Sequence, residues 1–373
     1  MPRLQDFVNI WKNVGEIDLR PIREAAQELV KITIIGRSGV GRHTLAEQMR
    51  TDPARPHIYT QTPLVISDLE KQAGIDGSHL IILMLDATSR DYNLEQDALQ
   101  KWVNAGKKVI VFVNKIDLLQ DGLVTEGWVS WQAECFIYGS ATDPTFLLKQ
   151  FVPAVLEILP GQHLALGRQF PLFRVAIARH LINETCFANA AYSLSTGLAE
   201  VIPVLDIPLN ITDMVVLSKA QAFLVYKLGL TFGFSTRWQD YVAEFGSVIG
   251  GGFMWRQIAR QLVGLIPVWG IVPKVAVAYS GTYVVGNVVL QWYITGRHIT
   301  RHQVQDITRQ ALNRGKDYAR KLLSKAPRPR LGRRKVAELP GPEALKPCLA
   351  CGKRNAQDAS FCQYCGKPLA EGV

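Results

Sequence analysis

The stretch that decides the fold is Gly36–Thr44, which reads GRSGVGRHT and follows the apolar run VKITII. Its three glycines, Gly36, Gly39 and Gly41, stand between this predicted strand and a predicted helix, RHTLAEQMR. In loops of this kind, successive backbone N–H groups surround a phosphate group at the start of a helix. The stretch predicts a phosphate-binding loop; the alternative is an ordinary glycine-rich turn between a strand and a helix.

Strands and helices alternate along the chain after this loop. The apolar runs KITIIG, PLVIS, HLIILMLD, KVIVFVN and ECFIYGS predict strands, and NLEQDALQKWVNAG predicts a helix that ends at Gly106. Short apolar strands that alternate with helices are typical of a parallel sheet covered on both faces. We therefore predict an α/β domain over residues 30–160, preceded by a helical segment over residues 1–29.

A second motif, VFVNKID, places Asn114, Lys115 and Asp117 directly after a buried strand. An aspartate carboxylate can accept hydrogen bonds from the N1–H and amino groups of guanine, which adenine lacks, and a lysine stem can lie over the base. After the next strand, YGSAT puts Ser140 and Ala141 where a backbone N–H could reach the guanine carbonyl. Together these residues predict a site for a guanine base.

The order and spacing of these motifs resemble the Era-like branch of small GTPase domains over about residues 25–160. The resemblance implies a P-loop NTPase fold with GTP or GDP as its ligand. It also implies that the following residues bind the nucleotide: Gly36, Ser38, Gly39, Gly41, Arg42, His43, Thr44, Asp68, Asn114, Lys115, Asp117, Ser140 and Ala141.

The chain departs from this family on the side of the γ-phosphate and the metal. Arg42 stands where the family has a lysine, so the charge is kept but phosphate contact has an altered geometry. His43 stands where a hydroxyl ligates Mg²⁺, and Mg²⁺ prefers oxygen ligands, so a Mg²⁺ site is doubtful. Thr44, which corresponds to the α-phosphate contact, is intact.

The segment that senses the γ-phosphate in this family differs as well. Asp68-Leu69-Glu70-Lys71 stands where the family has Asp-x-x-Gly, with Lys71 in place of the glycine. Thr60 and Thr62 are candidate Mg²⁺-side threonines, or else ordinary residues of an edge strand. These departures predict weak or absent hydrolysis, with Arg42 as the main phosphate contact and the other catalytic residues unknown.

Residues 161–300 form a predicted hydrophobic helical domain. From about 198 to 296 they resemble the hydrophobic domain of unknown function in YcjF-type bacterial proteins, through VIPVLDIPLNITDMVVLSKAQAFLVYKLGL and GGGFMWRQIARQLVGLIPVWGIVPKVAVAYSGTYVVGNVVLQWY. Residues 275–296 carry no charge and are long enough to cross about 30 Å of hydrocarbon. We predict membrane contact through 261–296, with small residues at helix contacts (Ala276, Ala278, Gly281, Gly286) and Tyr283, Trp292 and Tyr293 at the interface. The alternative is a soluble bundle in which these helices are central and buried.

A basic segment follows. Residues 297–335 hold thirteen Lys and Arg against two Asp, whereas the whole chain has a net charge of +10. Residues 301–345 are predicted to be a basic helix, with Val304, Ile307, Ala311, Tyr318 and Leu322 on one side, and a Pro/Arg linker. Such a segment suits an anionic membrane surface, and nucleic acid is the competing partner. Because the N-terminus has no signal-peptide pattern, we expect a cytoplasmic protein at the inner face of the cell membrane.

A cysteine cluster, Cys348-x2-Cys351-x10-Cys362-x2-Cys365, lies within a predicted module at residues 346–370. It resembles the small zinc ribbons of bacterial membrane and regulatory proteins. Four thiolates leave no open position, so the pattern predicts structural Zn²⁺, with disulfides as the alternative and an unknown protein partner. Cys135 and Cys186 stand alone in apolar surroundings and are predicted to be reduced thiols.

Three functions fit this sequence. The first is a membrane-associated GTP-binding protein with weak or absent hydrolysis, which couples nucleotide state to a membrane domain and a zinc-ribbon module. The second is a non-enzymatic membrane scaffold with a degenerate nucleotide fold. The third is a nucleic-acid-associated GTPase that uses the basic segment and the ribbon.

Overall fold

The computed structural model describes residues 18–71, 73–119, 131–199, 211–237, 239–240, 271–296, 299–325 and 345–356, with Cys365, Lys367 and Leu369. The chain divides into two compact units, one ending at Ser324 and one beginning at Lys325, and each is described by itself. Several predictions lie outside the described residues: most of the N-terminal segment, residues 261–270, the linker over 326–344, and Cys362.

A central sheet organises the first unit. In chain order the strands are β1 (Ile32–Gly36), β2 (Thr51–Asp52), β3 (Arg55–Tyr59), β4 (Val65–Asp68), β5 (Leu80–Asp86), β6 (Val109–Asn114) and β7 (Cys135–Tyr138). Five of them form the sheet in the order β4-β1-β5-β6-β7, and every pair in it is parallel. The predicted α/β fold with a parallel sheet is therefore confirmed.

The three central strands, β1, β5 and β6, are buried on both faces, which explains their continuous apolar runs. Along β5, Leu80, Ile82 and Met84 belong to one core cluster, while the alternate residues belong to another. Helix α2 (Arg42–Arg50) contributes to the first cluster and helix α3 (Asn93–Asn104) to the second. A short helix α1 (Arg20–Gln27) precedes β1.

Strands β2 and β3 form a separate antiparallel hairpin that the sequence did not predict. Its turn is closed by Asp52, whose carboxylate accepts hydrogen bonds from the Ala54 N–H at 2.9 Å and from the Arg55 guanidinium at 3.1 Å. An aspartate that bonds the backbone two residues later is a common turn former. The hairpin does not extend the central sheet.

A series of helices follows the sheet. Helix α4 begins at Pro144–Phe146, passes through a π-helical turn at Leu147–Phe151 and ends over Val152–Ile158. The others are α5 (His163–Gln169), α6 (Arg174–Ala199), α7 (Ile211–Thr231), α8 (Ile271–Thr295) and α9 (Arg301–Lys325). They share a core with the sheet, since Phe151 contacts both Phe112 of β6 and Phe173. The predicted boundaries at 160 and 300 thus fall inside one compact unit.

Helix α8 is the described part of the predicted membrane segment, and it lies inside this helical region. Tyr293, predicted to lie at a membrane interface, is buried and contacts the rings of Phe232 and Phe234. The buried Thr282 hydroxyl accepts a hydrogen bond from Asn189 of α6 at 2.8 Å. Among the described residues, no helix combines the length and apolar character needed to span a bilayer.

Helix α9 is amphipathic, as its sequence predicts, and it packs closely on α8. A Cβ atom at Gly315 would lie 2.8 Å from the Ala276 carbonyl oxygen, so the glycine permits this close approach. Ser280 of α8 donates to the Ala311 carbonyl at 3.1 Å. The opposite side of α9 exposes Arg309, Lys316, Arg320 and Lys321 together with Asp317, which pairs with Arg320. Arg314 is also exposed, but its guanidinium donates to the Tyr283 hydroxyl of α8 at 2.9 Å.

Candidate functional site

The phosphate loop predicted from the sequence connects β1 to α2 at the carboxyl edge of the sheet. Gly39 and Gly41 have φ angles of +80° and +98°, a region that L side chains rarely adopt. Gly36 lies so close to β5 that a Cβ atom there would be 2.5 Å from the Met84 carbonyl oxygen. Helix α2 then begins at Arg42. Each of the three glycines therefore meets a backbone requirement of this turn.

Asn114, at the end of β6, connects the loop to the other side of the site. Its Nδ2 donates to the Val40 carbonyl at 2.7 Å, and its Oδ1 accepts from the Ala141 N–H at 2.8 Å. The side chain is buried, and a Cβ atom at Gly41 would lie 2.4 Å from its Nδ2. Asn114 thus holds three segments together, those after β1, β6 and β7.

The two residues predicted to contact the base, Lys115 and Asp117, follow Asn114 in the chain. Lys115 has a φ angle of +64°, and its ammonium pairs with Asp86 at 2.5 Å. Burial raises the pKa of Asp86, but hydrogen bonds from Lys115 and Thr88 outweigh it and hold that pKa below its ordinary value. Asp117 lies in a 3₁₀ turn, Ile116–Leu118, and is exposed. The Asp117 carboxylate faces solvent, whereas the Lys115 ammonium is held by its ion pair with Asp86.

In the loop after β7, polar groups that the sequence predicted to be available to a base already have protein partners. The Ala141 N–H, predicted to reach a guanine carbonyl, already donates to Asn114. The Ser140 and Thr142 hydroxyls lie 2.8 Å apart and form a hydrogen bond. A base contact through Ala141 would therefore have to share its N–H with Asn114.

Arg42 makes contacts that the sequence did not indicate. Its guanidinium is buried, donates to the Ser67 carbonyl and pairs with the Asp68 carboxylate at 2.5 Å. The predicted phosphate contact and the predicted acidic residue thus neutralise each other across the ends of α2 and β4. The N–H of Lys71 donates to the Asp68 carbonyl at 3.1 Å, within a turn. It therefore has a protein partner at the position where the family uses a glycine N–H.

Arg37 is a second cation of the loop, and its role was missed by the sequence analysis. It pairs with Glu95 of α3 at 2.7 Å, and the Glu95 side chain is only 3% exposed. Glu95 lies in the first turn of α3, where an acidic residue is expected for its interaction with the helix dipole alone. No sequence signal linked it to Arg37.

The residues required for a Mg²⁺ site do not come together. Thr60 and Thr62 both donate to the Gln169 carbonyl, and Gln169 bonds the backbone of Glu28 just before β1. They therefore lie at the amino edge, separated from the loop by the length of β1, about 16 Å. His43 is exposed, and the Asp68 carboxylate is occupied by Arg42. In the part of the chain that the structure describes, this site does not fit an oxygen-coordinated cation.

All of the predicted nucleotide contacts nevertheless lie at one edge of the sheet. They follow the carboxyl ends of β1, β4, β6 and β7. Counted along the chain, the five sheet strands have the order 2-1-3-4-5, and in such sheets ligands bind at the carboxyl edge where the order reverses. Here that point lies between β1 and β5. A scan against protein-family models and a search of curated protein sequences both find no match to this chain.

The second unit brings three of the predicted cysteine ligands together. The sulfur atoms of Cys348, Cys351 and Cys365 lie within 4.8 Å of one another. Cys348 follows strand β8 (Leu345–Pro347), which pairs with β9 (Arg354–Ala356). Backbone N–H groups of Ala350 and Cys351 bond the Cys348 sulfur and lower the pKa of this thiol. The cluster could hold a metal ion.

The two isolated cysteines are free thiols in apolar surroundings, as predicted. Cys186 lies inside α6 and is buried, and burial raises its pKa to about 12. Cys135, on β7, is partly buried, and burial raises its pKa as well. Neither is an activated nucleophile.

Proposed function

We propose that this chain is a guanine-nucleotide-binding protein with a P-loop NTPase domain of the Era-like kind and with weak or absent GTP hydrolysis. The observation that carries the proposal is the pair of hydrogen bonds made by Asn114. They join the phosphate loop at Val40 to the segment at Ala141, so the predicted phosphate and base contacts form one connected site.

The guanine preference rests on Asp117 and Lys115. The exposed Asp117 carboxylate can accept hydrogen bonds from the N1–H and the amino group of guanine, whereas adenine offers an acceptor at N1. Lys115, held by Asp86, keeps its stem fixed beside this position. A base lying between them would be recognised by charge-assisted hydrogen bonds and apolar contact.

The proposal of weak or absent hydrolysis rests on the γ-phosphate side. Phosphoryl transfer depends on positioned cations and on donors aimed at the γ-phosphate. The Lys71 N–H is engaged in a turn, so it is not aimed at a γ-phosphate, and the sequence offers no hydroxyl at His43 to hold a metal ion beside it. We therefore expect the loop to bind nucleotide, with weak or absent turnover.

Calorimetric titration of the full chain with GDP, GTP and ATP tests this function. We expect GDP and GTP to bind, and ATP to bind at least about 100-fold more weakly, because it cannot satisfy Asp117. Excess GTP incubated with the protein should remain largely intact. Failure of any guanine nucleotide to bind at millimolar concentration, or a preference for ATP, would contradict the proposal.

We also propose that the cysteine cluster is a structural Zn²⁺ site completed by Cys362, which lies outside the described residues. A set of four thiolates suits tetrahedral Zn²⁺ and leaves no position for substrate. Purified protein is expected to contain about one zinc ion per chain. Cys365→Ser should release most of it to a chelator, whereas the matched control Cys135→Ser should retain it. Equal zinc content in both variants would contradict the assignment.

The partners of the basic segment and of the zinc ribbon stay predictions from the sequence, as do the scaffold and nucleic-acid alternatives. The exposed cations of α9 form a basic face suited to either an anionic membrane or nucleic acid. Flotation with anionic vesicles and salt-dependent binding of nucleic acid distinguish the two. If replacing Arg309, Lys316 and Lys321 by Gln abolishes whichever of these two interactions the unaltered chain shows, then this face of α9 makes the contact.

A further inference from the structure

In the described part of the chain, three cations around the phosphate loop pair with carboxylates: Arg37 with Glu95, Lys115 with Asp86, and Arg42 with Asp68. The side chains of the first two partners are 3% and 20% exposed, but that of Asp68 is 45% exposed. An exposed carboxylate is rehydrated when its partner leaves, whereas a buried one is left unpaired. Asp68 is therefore the carboxylate of the three that can most readily move into water, while Arg42 itself is 9% exposed and keeps its hydrogen bond to the Ser67 carbonyl. An incoming anion would take the place that Asp68 leaves.

Arg42 also lies where the loop needs a cation. It is the first residue of α2, directly after Gly41, so its guanidinium belongs to the same turn as the N–H groups of the phosphate loop. A guanidinium can bind phosphate oxygens through two parallel N–H groups, and it keeps its charge at every physiological pH. The oxygen ligands that a divalent cation needs are not gathered at this point, since His43 has no side-chain oxygen and the Thr60 and Thr62 hydroxyls donate to the Gln169 carbonyl at the amino edge.

We propose that this site binds a nucleoside diphosphate without a divalent cation, with Arg42 supplying the positive charge and Asp68 serving as its counter-ion when no nucleotide is bound. The inference rests on the proposed guanine-nucleotide binding. Binding then exchanges one anionic partner of Arg42 for another, from the carboxylate to a phosphate group. Because like charges repel, Asp68 opposes the nucleotide.

A titration of the unaltered full chain with GDP, in buffer containing excess MgCl₂ and in buffer containing EDTA, tests the first part. We expect the two dissociation constants to agree within about twofold. Binding that requires MgCl₂ would overturn this inference and leave the proposed function standing. Absence of GDP binding in both buffers would contradict the proposed function itself.

The variant Asp68→Asn tests the second part, because the two kinds of site predict opposite signs. Removal of a competing counter-ion should tighten GDP binding about tenfold in EDTA, which corresponds to about 1.4 kcal/mol. In a site that held Mg²⁺ through this carboxylate, the same change would weaken binding. Asp76→Asn is the matched control, since Asp76 is exposed and precedes β5 at the opposite edge. Unchanged or weaker GDP binding by a folded Asp68→Asn protein would overturn the proposal.

Discussion

Replacing Asn114 by Ala is expected to destabilise the first unit by about 2–4 kcal/mol and to weaken GDP binding at least about tenfold. The change leaves the Val40 carbonyl and the Ala141 N–H without the partner that both now have. Each buried polar group left unpaired costs about 1–3 kcal/mol. The cavity beside Gly41 adds to this cost.

Urea denaturation and GDP titration of the same variant measure the two effects. Asn313→Ala is the matched control, because Asn313 is exposed on α9, and a surface change of this kind alters stability by about 0.5 kcal/mol or less. Asn114→Asp separates the two bonds: it keeps an acceptor for Ala141 but sets a carboxylate oxygen against the Val40 carbonyl. Asn114→Ala with the stability and affinity of the unaltered chain would show that Asn114 does not connect the site.

The central strands of the sheet could be predicted from the sequence, because a strand that is buried on both faces consists of an unbroken run of apolar residues. β5 and β6 lie within the runs HLIILMLD and KVIVFVN, and α2 covers the whole of RHTLAEQMR. Parallel strands with helical connections also fix which edge carries the loops. This is why the residues after β1, β4, β6 and β7 could be expected at one place before any coordinates were known.

The pairings within the site could not be predicted in the same way. Arg42 meets Asp68 because β4 lies beside β1, and Lys115 meets Asp86 because β5 lies beside β6. Such contacts depend on strand order, which local pattern does not encode. One signal was present, since Asp86 ends an otherwise apolar run at the carboxyl edge. The sequence also left two roles open for Thr60 and Thr62, as Mg²⁺-side residues or as residues of an edge strand. Their spacing could not predict that both hydroxyls donate to the Gln169 carbonyl at the opposite edge of the sheet.

The packing partners of the helices could not be predicted from the sequence pattern either. An uncharged stretch such as residues 275–296 fits both a bilayer and a protein interior. The structure adds the protein partners of this helix, including Ile182 of α6, which lies 2.7 Å from where a Cβ atom at Gly286 would be. The small residue Gly286 predicted close helix approach correctly, but the sequence did not show which helix it contacts.

Replacing Asp117 by Asn is expected to reverse the base preference of the site. The carboxylate accepts two hydrogen bonds from guanine, at N1–H and at the amino group, whereas an asparagine amide sets a donor against one of them. Hydrogen bonds to a charged group contribute about 1.5–3 kcal/mol each, so GDP affinity should fall at least about 100-fold. Xanthine carries a carbonyl in place of that amino group, so the amide can donate to it.

The fold should not change in this variant. Asp117 is exposed in the turn after β6, and its substitution is expected to alter stability by no more than about 0.5 kcal/mol. Asp97→Asn, an exposed change on α3, is the matched control and should bind GDP as the unaltered chain does. A loss of affinity confined to Asp117→Asn is therefore a loss of base recognition.

The most direct test of guanine recognition at this edge of the sheet is a competition titration of Asp117→Asn with GDP and xanthosine diphosphate. The unaltered chain should prefer GDP, and the variant should prefer xanthosine diphosphate. If Asp117→Asn binds GDP as tightly as the unaltered chain, or if neither protein distinguishes the two bases, Asp117 does not read a guanine base and the proposed function is contradicted.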